Sequence, residues 1–138
     1  SAPIFVGGGV AHGPKGIENW TLSLSKIMKR KALITALSAQ AENIVVADNL
    51  LEIEGKTKNA AKFLDTINVT GKKVLLVLDE TTAELFKAFK NIPRVTVMQD
   101  VLVNALNVAS ADSIVFTKTA LKNIQARLEK KVADVEAN

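Results

Sequence analysis

Apolar positions from residue 26 onward recur mostly at the spacing of three and four that is typical of amphipathic helices. In the first of these segments, Leu33, Ile34, Leu37 and Ala41 are expected to pack on a sheet. A short helix is also expected within residues 101–111. The main helices are predicted from about Ser25 to Ala41, from near Thr57 to Asn68, from Thr81 or Thr82 to a stop before Pro93, and from about Lys118 past Leu128.

Short apolar runs between these helices predict strands. The five consecutive apolar residues after Lys73 are typical of a central strand that is covered on both faces, whereas the alternation after Arg94 predicts a more peripheral strand. Strands that alternate with helices indicate an α/β fold, with a mainly parallel sheet of about four strands flanked by helices. The four strands are predicted over Asn43 to Asp48, Lys72 to Asp79, Arg94 to Gln99 and Ser113 to Thr117.

The first 25 residues have no such periodicity. They open with SAPIFVGGGVAHGPKG, which is rich in glycine, proline and small apolar residues, and we expect them to have no stable structure of their own. The predicted organisation is therefore an extended N-terminal arm over residues 1–25 and a globular domain over residues 26–138. Long irregular segments of this kind are usually either functional or unfolded.

Composition narrows the classes of function. The 138 residues carry a net charge of +4, which favours a polyanionic partner. There is no cysteine, which excludes disulfides and thiolate zinc sites, and His12 is the single histidine. The sequence contains no run of 18 apolar residues, so no segment is expected to span a membrane, and no membrane partner is predicted. Neither a metal nor a cofactor is predicted.

The start of the first helix carries an unusual concentration of positive charge. Lys26, Lys29, Arg30 and Lys31 face the positive end of the helix dipole, which costs about 0.3–1 kcal/mol for each exposed cation. We interpret this as a site for an anion, and specifically for folded RNA, because low aromatic content with no tyrosine disfavours the stacking of single-stranded bases. The candidate RNA-binding residues are Gly7, Gly8, Gly9, His12, Lys15, Trp20, Lys26, Lys29, Arg30, Lys31, Lys56 and Lys58.

Some of these candidates have a second interpretation. The three glycines with Lys15 either approach a phosphate backbone or form a flexible turn. Trp20 either stacks on a base or anchors the arm to the domain. Lys56 and Lys58, taken alone, are typical of a solvated helix start.

An enzyme-like alternative comes from the ends of the predicted strands. Asp48 and Asp79 end two strands that are expected to lie side by side, while Thr117 and Lys118 end a third. Because ligands of open α/β sheets bind at the carboxyl ends of strands, these residues predict, as the alternative function, a phosphate-binding or receiver-like enzyme domain. The structural interpretation is that they cap helices and orient loops.

A family resemblance covers almost the whole chain. The opening SAPIFVGGGVAHGPKG, the KALITALS of the basic helix, KKVLLVLDE and the closing SADSIVFTKTAL occur in the order seen in bacterial-type large-subunit ribosomal protein four. The chain resembles that family without its N-terminal segment and most of its long loop. Gly16-Ile17 stand where the family usually has Pro-Arg, so the arm is less basic than is typical.

The resemblance implies a ribosomal protein with no enzymatic activity. Such a protein is a structural constituent of the large ribosomal subunit that binds ribosomal RNA, supports assembly and borders the peptide exit tunnel. Its implied partners are large-subunit ribosomal RNA and neighbouring ribosomal proteins, together with the leader mRNA of its own operon, which some members of the family bind. Its implied location is the ribosome of the cytoplasm or of an organelle.

Overall fold

Strands and helices alternate from residue 26 onward in the computed structural model, which describes residues 1–48, 50, 53–80 and 82–136, with side chains as far as residue 129. The strands are β1 (Ile44–Val46), β2 (Val74–Leu78), β3 (Val95–Gln99) and β4 (Ser113–Phe116). The helices are α1 (Lys26–Ala39), α2 (Thr57–Thr66), α3 (Ala83–Lys90), α4 (Ala105–Ser110) and α5 (Lys118–Glu136). Single turns of 3-10 helix precede β1 and follow β3. The predicted α/β class is confirmed.

The four strands form one parallel sheet in the order β1-β4-β2-β3. Leu76 in β2 pairs with Val97 of β3 on one side and with Val115 of β4 on the other, so β2 is central and β3 lies at an edge, as predicted. The expectation that the strands ending near Asp48 and Asp79 are neighbours is wrong, because β4 lies between β1 and β2. Residues at the end of the last strand therefore lie between those two carboxylates.

The core consists of two layers, one on each face of the sheet. Side chains of β2 alternate between them: Leu76 and Leu78 pack with α2 and α3, whereas Leu75 and Val77 pack with α1, α4 and α5. All residues of β2 and β4 are buried, and this burial on both faces stabilises the sheet by the hydrophobic effect. The apolar residues of α2 at helical spacing, Ala60, Phe63, Leu64 and Ile67, lie in the first of these layers.

Helix α1 packs less deeply than its sequence predicts. Leu33 is its one buried residue and Leu37 is partly buried, but Ile34 is exposed. Ala41 is also exposed, because α1 ends at Ala39 and the chain continues in a 3-10 turn. In α3, Thr82 is the N-cap residue, and the alternative cap at Thr81 lies outside the described residues.

Residues 1–25 contain turns and bends but no helix or strand. Their hydrogen bonds are local: the Phe5 N–H donates to the Ala2 carbonyl (3.0 Å), and the Gly8 N–H donates to the Phe5 carbonyl (2.8 Å). Whether this arm behaves as a separate unit stays a prediction. Among the described residues, no helix combines the length and the apolar character needed to cross a membrane.

Candidate nucleic-acid interface

Two glycines of the arm are required by its local backbone conformation. Gly7 has a φ of +76°, a conformation that favours glycine, and a Cβ at Gly8 would collide with the Ala2 carbonyl oxygen. A Cβ at Gly13 would meet no atom within 4 Å, and one at Gly9 would lie 4.0 Å from the Ser1 carbonyl oxygen. At Gly8 the backbone thus lies close to that of the arm itself, and the approach of this stretch to a phosphate backbone stays a prediction.

The other arm candidates are exposed to solvent. His12 and Lys15 are exposed, and the Trp20 side chain is 86% exposed. A side chain with so little contact does not anchor the arm to the domain in this structure. The structure leaves its indole ring available for stacking.

One local turn follows His12. The Lys15 N–H donates to the Glu18 carboxylate at 2.9 Å. Backbone N–H groups, first that of Lys15 and then those of Glu18 and Gly16, lower the pKa of Glu18 from its ordinary value of 4.5. The carboxylate therefore holds the turn at residues 15–18 in the ionised state.

The four cations at the start of α1 do not form a single face. At about 100° per residue, Lys29 and Lys31 lie about 200° apart around the helix axis. Lys26, Lys29 and Lys31 are exposed, whereas Arg30 is half-buried. The first turn contains no acidic residue, and Ser25 caps the helix by accepting a hydrogen bond from the Met28 N–H at 3.3 Å. Lys26, Lys29 and Arg30 thus lie within about 100° of one another around the first two turns of α1, and Lys31 lies on the other side.

The lysines at the start of α2 belong to a different part of the molecule. Helix α2 packs on the opposite face of the sheet from α1. Lys56 and Lys58 therefore do not lie in the same layer as the cations of α1. Lys56 also lies 3.7 Å from the Glu54 carboxylate in an exposed ion pair. Their interpretation as a solvated helix start fits these contacts.

The residues of the enzyme-like alternative do converge at the carboxyl edge of the sheet. Asp48, Asp79 and Thr117 line a cavity of about 180 Å³. The Thr117 hydroxyl is 3.4 Å from Asp79 Oδ1, it caps α5 by accepting from the Ala120 N–H at 3.2 Å, and Lys118 Nζ is 3.8 Å from Asp48 Oδ2. These groups satisfy one another, which supports the interpretation as helix cap and loop contacts.

A third feature was not anticipated from the sequence. Between α1, α4 and α5 lies a largely apolar groove of about 540 Å³. Arg127 on α5 fixes its wall by donating to the carbonyls of Asp100 (2.9 Å), Val101 (2.7 Å) and Val103 (3.1 Å). The sequence does contain a signal for this role. Arg127 follows Ile124 by three residues and so lies near the apolar positions of α5, where a cation needs specific acceptors.

Comparison with known proteins matches this chain to a family along most of its length. The sequence model described as the ribosomal protein L4/L1 family matches residues 1–127, a range that includes the arm. The chain is similar to the "Large ribosomal subunit protein uL4" of Aquifex aeolicus, with 40% identity over 129 residues, covering 91% of this chain and 64% of that protein. It is also similar to the proteins of the same name from Novosphingobium aromaticivorans (38% identity, 91% of this chain, 60% of that protein) and Halothermothrix orenii (32%, 90% and 60%). The chain thus spans less than two thirds of the length of these relatives.

Proposed function

The chain belongs to the ribosomal protein L4/L1 family, and from this premise we propose that it is a structural constituent of the large ribosomal subunit that binds ribosomal RNA. The arm and the start of α1 make the contact with RNA, and the arm borders the peptide exit tunnel. The protein has no catalytic role, since the family is one of structural ribosomal proteins.

The observation that carries this proposal is the pairing of an exposed arm with a cluster of exposed cations in the first two turns of α1. Lys26, Lys29 and Lys31 have no salt bridge within the described part of the chain, although they lie at the unfavourable end of a helix dipole. Phosphate groups of RNA supply the missing negative charge. Glycine-rich turns and the exposed Trp20 then give the arm a backbone and an aromatic ring that can reach ribose, phosphate or base.

A position in the large subunit implies further partners. Neighbouring ribosomal proteins contact surfaces that the RNA does not cover, and the leader mRNA of the protein's own operon competes for the same cations. The site of action is the ribosome, in the cytoplasm or in an organelle.

The test is a salt titration of binding to a large-subunit ribosomal RNA fragment. Replacing Lys26, Lys29 and Lys31 together by Gln removes three phosphate contacts. The slope of log affinity against log salt therefore becomes less steep, by about two to three units. The isolated protein keeps its stability, because the replacements remove cations from the positive end of a helix dipole.

A matched control replaces Lys72, Lys87 and Lys122 by Gln. These three lysines are also exposed, and the change in net charge is the same, but they lie outside the arm and α1. The control is expected to keep its salt slope. Equal slopes for the two triple variants, or an α1 variant with a lowered melting temperature and an unchanged slope, would contradict the proposal.

A further inference from the structure

A small polar cavity lies at the end of the sheet where β2 and β3 begin, and it is here called the amino-edge pocket. It has a volume of about 60 Å³, and its polar lining comes from Lys73, Arg94, Thr96, Asn107 and Ser110. Lys73 and Arg94 come directly before β2 and β3, so the parallel pairing of these strands places both cations at the same edge. None of the candidate RNA-binding residues lines this pocket.

The two cations of the pocket have no carboxylate partner. Neither Lys73 nor Arg94 forms a salt bridge within the described part of the chain, and no Asp or Glu described there lines the pocket. The Asp112 carboxylate accepts from the backbone N–H of Lys73 at 2.9 Å rather than from its ammonium group. The Arg94 guanidinium, which has five N–H donors, donates from Nη1 to the Gly71 carbonyl at 3.0 Å. The pocket therefore has a positive charge that no described carboxylate balances.

The backbone at Arg94 has a conformation that is uncommon for arginine. Its φ is +65°, in the left-handed region that glycine adopts without strain. The Arg94 carbonyl accepts from the Val74 N–H at 2.9 Å, so a hydrogen bond between the starts of β2 and β3 holds the residue in place. Strained residues that their surroundings hold in this way cluster at ligand sites. An arginine here therefore indicates a use for its side chain, either in the contact with Gly71 alone or in binding a ligand.

The size and chemistry of the pocket favour a single phosphate group. Pockets for drug-sized molecules usually exceed about 300 Å³, so this cavity suits one small group rather than a nucleotide or a peptide segment. A guanidinium matches two phosphate oxygens with its planar fork, and an ammonium group adds a point charge. The Thr96 hydroxyl adds a neutral donor, whereas that of Ser110 already donates to the Asn107 carbonyl at 3.3 Å. A phosphate group has more oxygens than a carboxylate with which to meet three separate donors.

The pocket lies at the opposite end of α1 from the cations of the candidate interface. Gln40, the C-cap of α1, donates from Nε2 to the carbonyl of Ala111, which lines the pocket, at 3.1 Å. The 14 residues of α1 span about 20 Å. We propose that the amino-edge pocket binds a phosphate group, and that in the ribosome this group belongs to the RNA backbone, about 20 Å from the contact at the start of α1. The phosphate site stands on the pocket alone, whereas RNA as its source rests on the proposed function.

Inorganic phosphate is the probe for the pocket itself. The isotope-labelled full chain is titrated with phosphate against chloride at constant ionic strength, and its backbone amides are followed by NMR. Saturable shifts are expected at the amides around Lys73, Arg94 and Thr96. Lys73→Gln and Arg94→Gln should each weaken phosphate binding by at least about tenfold, in line with the loss of a hydrogen bond to a charged group.

Lys72→Gln is the matched control. Lys72 is the neighbour of Lys73, is also exposed and carries the same charge, but does not line the pocket, so this variant should bind phosphate like the parent. Both lysine variants should melt like the parent, because the backbone N–H of Lys73 still donates to Asp112. The phosphate site is overturned by the absence of saturable shifts or by equal weakening in Lys72→Gln and Lys73→Gln. It is also overturned if Arg94→Gln melts at a lower temperature but binds phosphate like the parent, which would make Arg94 a structural contact of Gly71.

The source of the phosphate is tested by a salt titration of binding to large-subunit ribosomal RNA. A variant that carries both Lys73→Gln and Arg94→Gln loses one phosphate contact, so its slope of log affinity against log salt should be less steep by about one unit. Lys72→Gln should keep the slope of the parent. An unchanged slope in the double variant, with phosphate binding lost, would rule out RNA as the source in favour of a small phosphate compound. If the parent binds no RNA, the proposed function fails, while the phosphate titration still decides the pocket.

Discussion

Two regions hold most of the polar chemistry of this molecule, the arm with the start of α1 and the sheet with its carboxyl edge. At the carboxyl edge the charged and hydroxyl groups have partners within the chain: Lys118 pairs with Asp48, and Thr117 contacts Asp79 while capping α5. At the start of α1, Lys26, Lys29 and Lys31 have no salt bridge in the described part of the chain. Groups that are satisfied internally need no ligand, whereas exposed cations at the positive end of a helix dipole are what the proposed contact with RNA phosphates would account for.

The two regions also differ in how they are stabilised. The sheet is held by apolar burial on both faces, while the arm has a few local hydrogen bonds and exposed apolar side chains such as Phe5 and Trp20. Substitutions in the sheet region should therefore change the free energy of unfolding, and substitutions in the arm should change RNA binding. The predictions below test this division, in order of decreasing effect.

The largest effect is expected from a pair of phenylalanines. Phe89 is fully buried and packs edge-to-face against Phe63, with ring centroids 6.4 Å apart, whereas Phe5 in the arm is 64% exposed. Phe89→Ala should lower the free energy of unfolding by about 3–5 kcal/mol because it leaves a cavity. Phe5→Ala should change it by less than about 0.5 kcal/mol. Urea unfolding measures both, and a large loss from Phe5→Ala would mean that the arm packs on the domain.

At the carboxyl edge, loss of the helix cap and loss of the ion pair should lower the stability by different, smaller amounts. Thr117→Ala removes the hydroxyl that accepts from the Ala120 N–H, and the loss of an N-cap costs about 0.5–2 kcal/mol. Asp48→Asn removes an exposed ion pair with Lys118, which contributes about 0–1 kcal/mol. Thermal unfolding of the two variants should rank Thr117→Ala as the more destabilised.

A third variant at this edge, Asp79→Asn, tests the enzyme-like alternative. Thr117→Ala and Asp48→Asn should leave RNA binding unchanged, since both residues lie at the carboxyl edge of the sheet rather than on α1. Hydrolysis of ATP by the purified parent protein, abolished by Asp79→Asn, would instead make the cavity at this edge an active site. If no ATP hydrolysis is found, the Thr117 hydroxyl and the carboxylates of Asp48 and Asp79 are best described as helix-cap and loop contacts.

The sequence predicted the elements better than their arrangement. Apolar runs and helical spacing located four strands and the helices between them, because these signals are local. The position of β4 between β1 and β2 depends on pairing between residues about 70 apart, such as Ile44 with Ile114, and no local pattern encodes it. This insertion is also why Thr117, rather than Asp48, lies next to Asp79.

The candidate site was only partly predictable for a similar reason. Charge at the start of α1 is visible in the sequence, but the rotation that separates Lys29 from Lys31 and the layer that separates both from Lys56 depend on the fold. The groove between α1, α4 and α5 was missed because its walls come from three distant segments. Exposed apolar residues such as Leu106 cannot be distinguished from core residues by type alone.

A finer test of the arm uses two of its glycines. Gly8→Ala forces a collision with the Ala2 carbonyl and disrupts the turn that links Phe5 and Gly8, whereas Gly13→Ala meets no atom within 4 Å. If the folded arm contacts RNA, Gly8→Ala should weaken binding by about three- to tenfold, in line with the loss of about one hydrogen bond. Gly13→Ala should bind like the parent, and both should unfold at the same temperature as the parent. Equal binding by the two variants would mean that the turn around Gly8 has no part in the contact.

The smallest effect concerns the one turn of the arm that depends on a charge. Backbone N–H groups at residues 15–18 lower the pKa of Glu18, so the turn is favoured above the ordinary carboxyl value of 4.5 and is lost as pH falls through the lower pKa of the folded turn. In an NMR titration, the Lys15 amide proton should therefore shift with a midpoint below 4.5, and Glu18→Gln should abolish that titration. The thermal stability of the domain should be the same in the parent and in Glu18→Gln, because Glu18 is fully exposed and its donors all lie within the arm. A midpoint at or above 4.5 would mean that the turn does not persist in solution and that the arm before α1 has no structure of its own at this point.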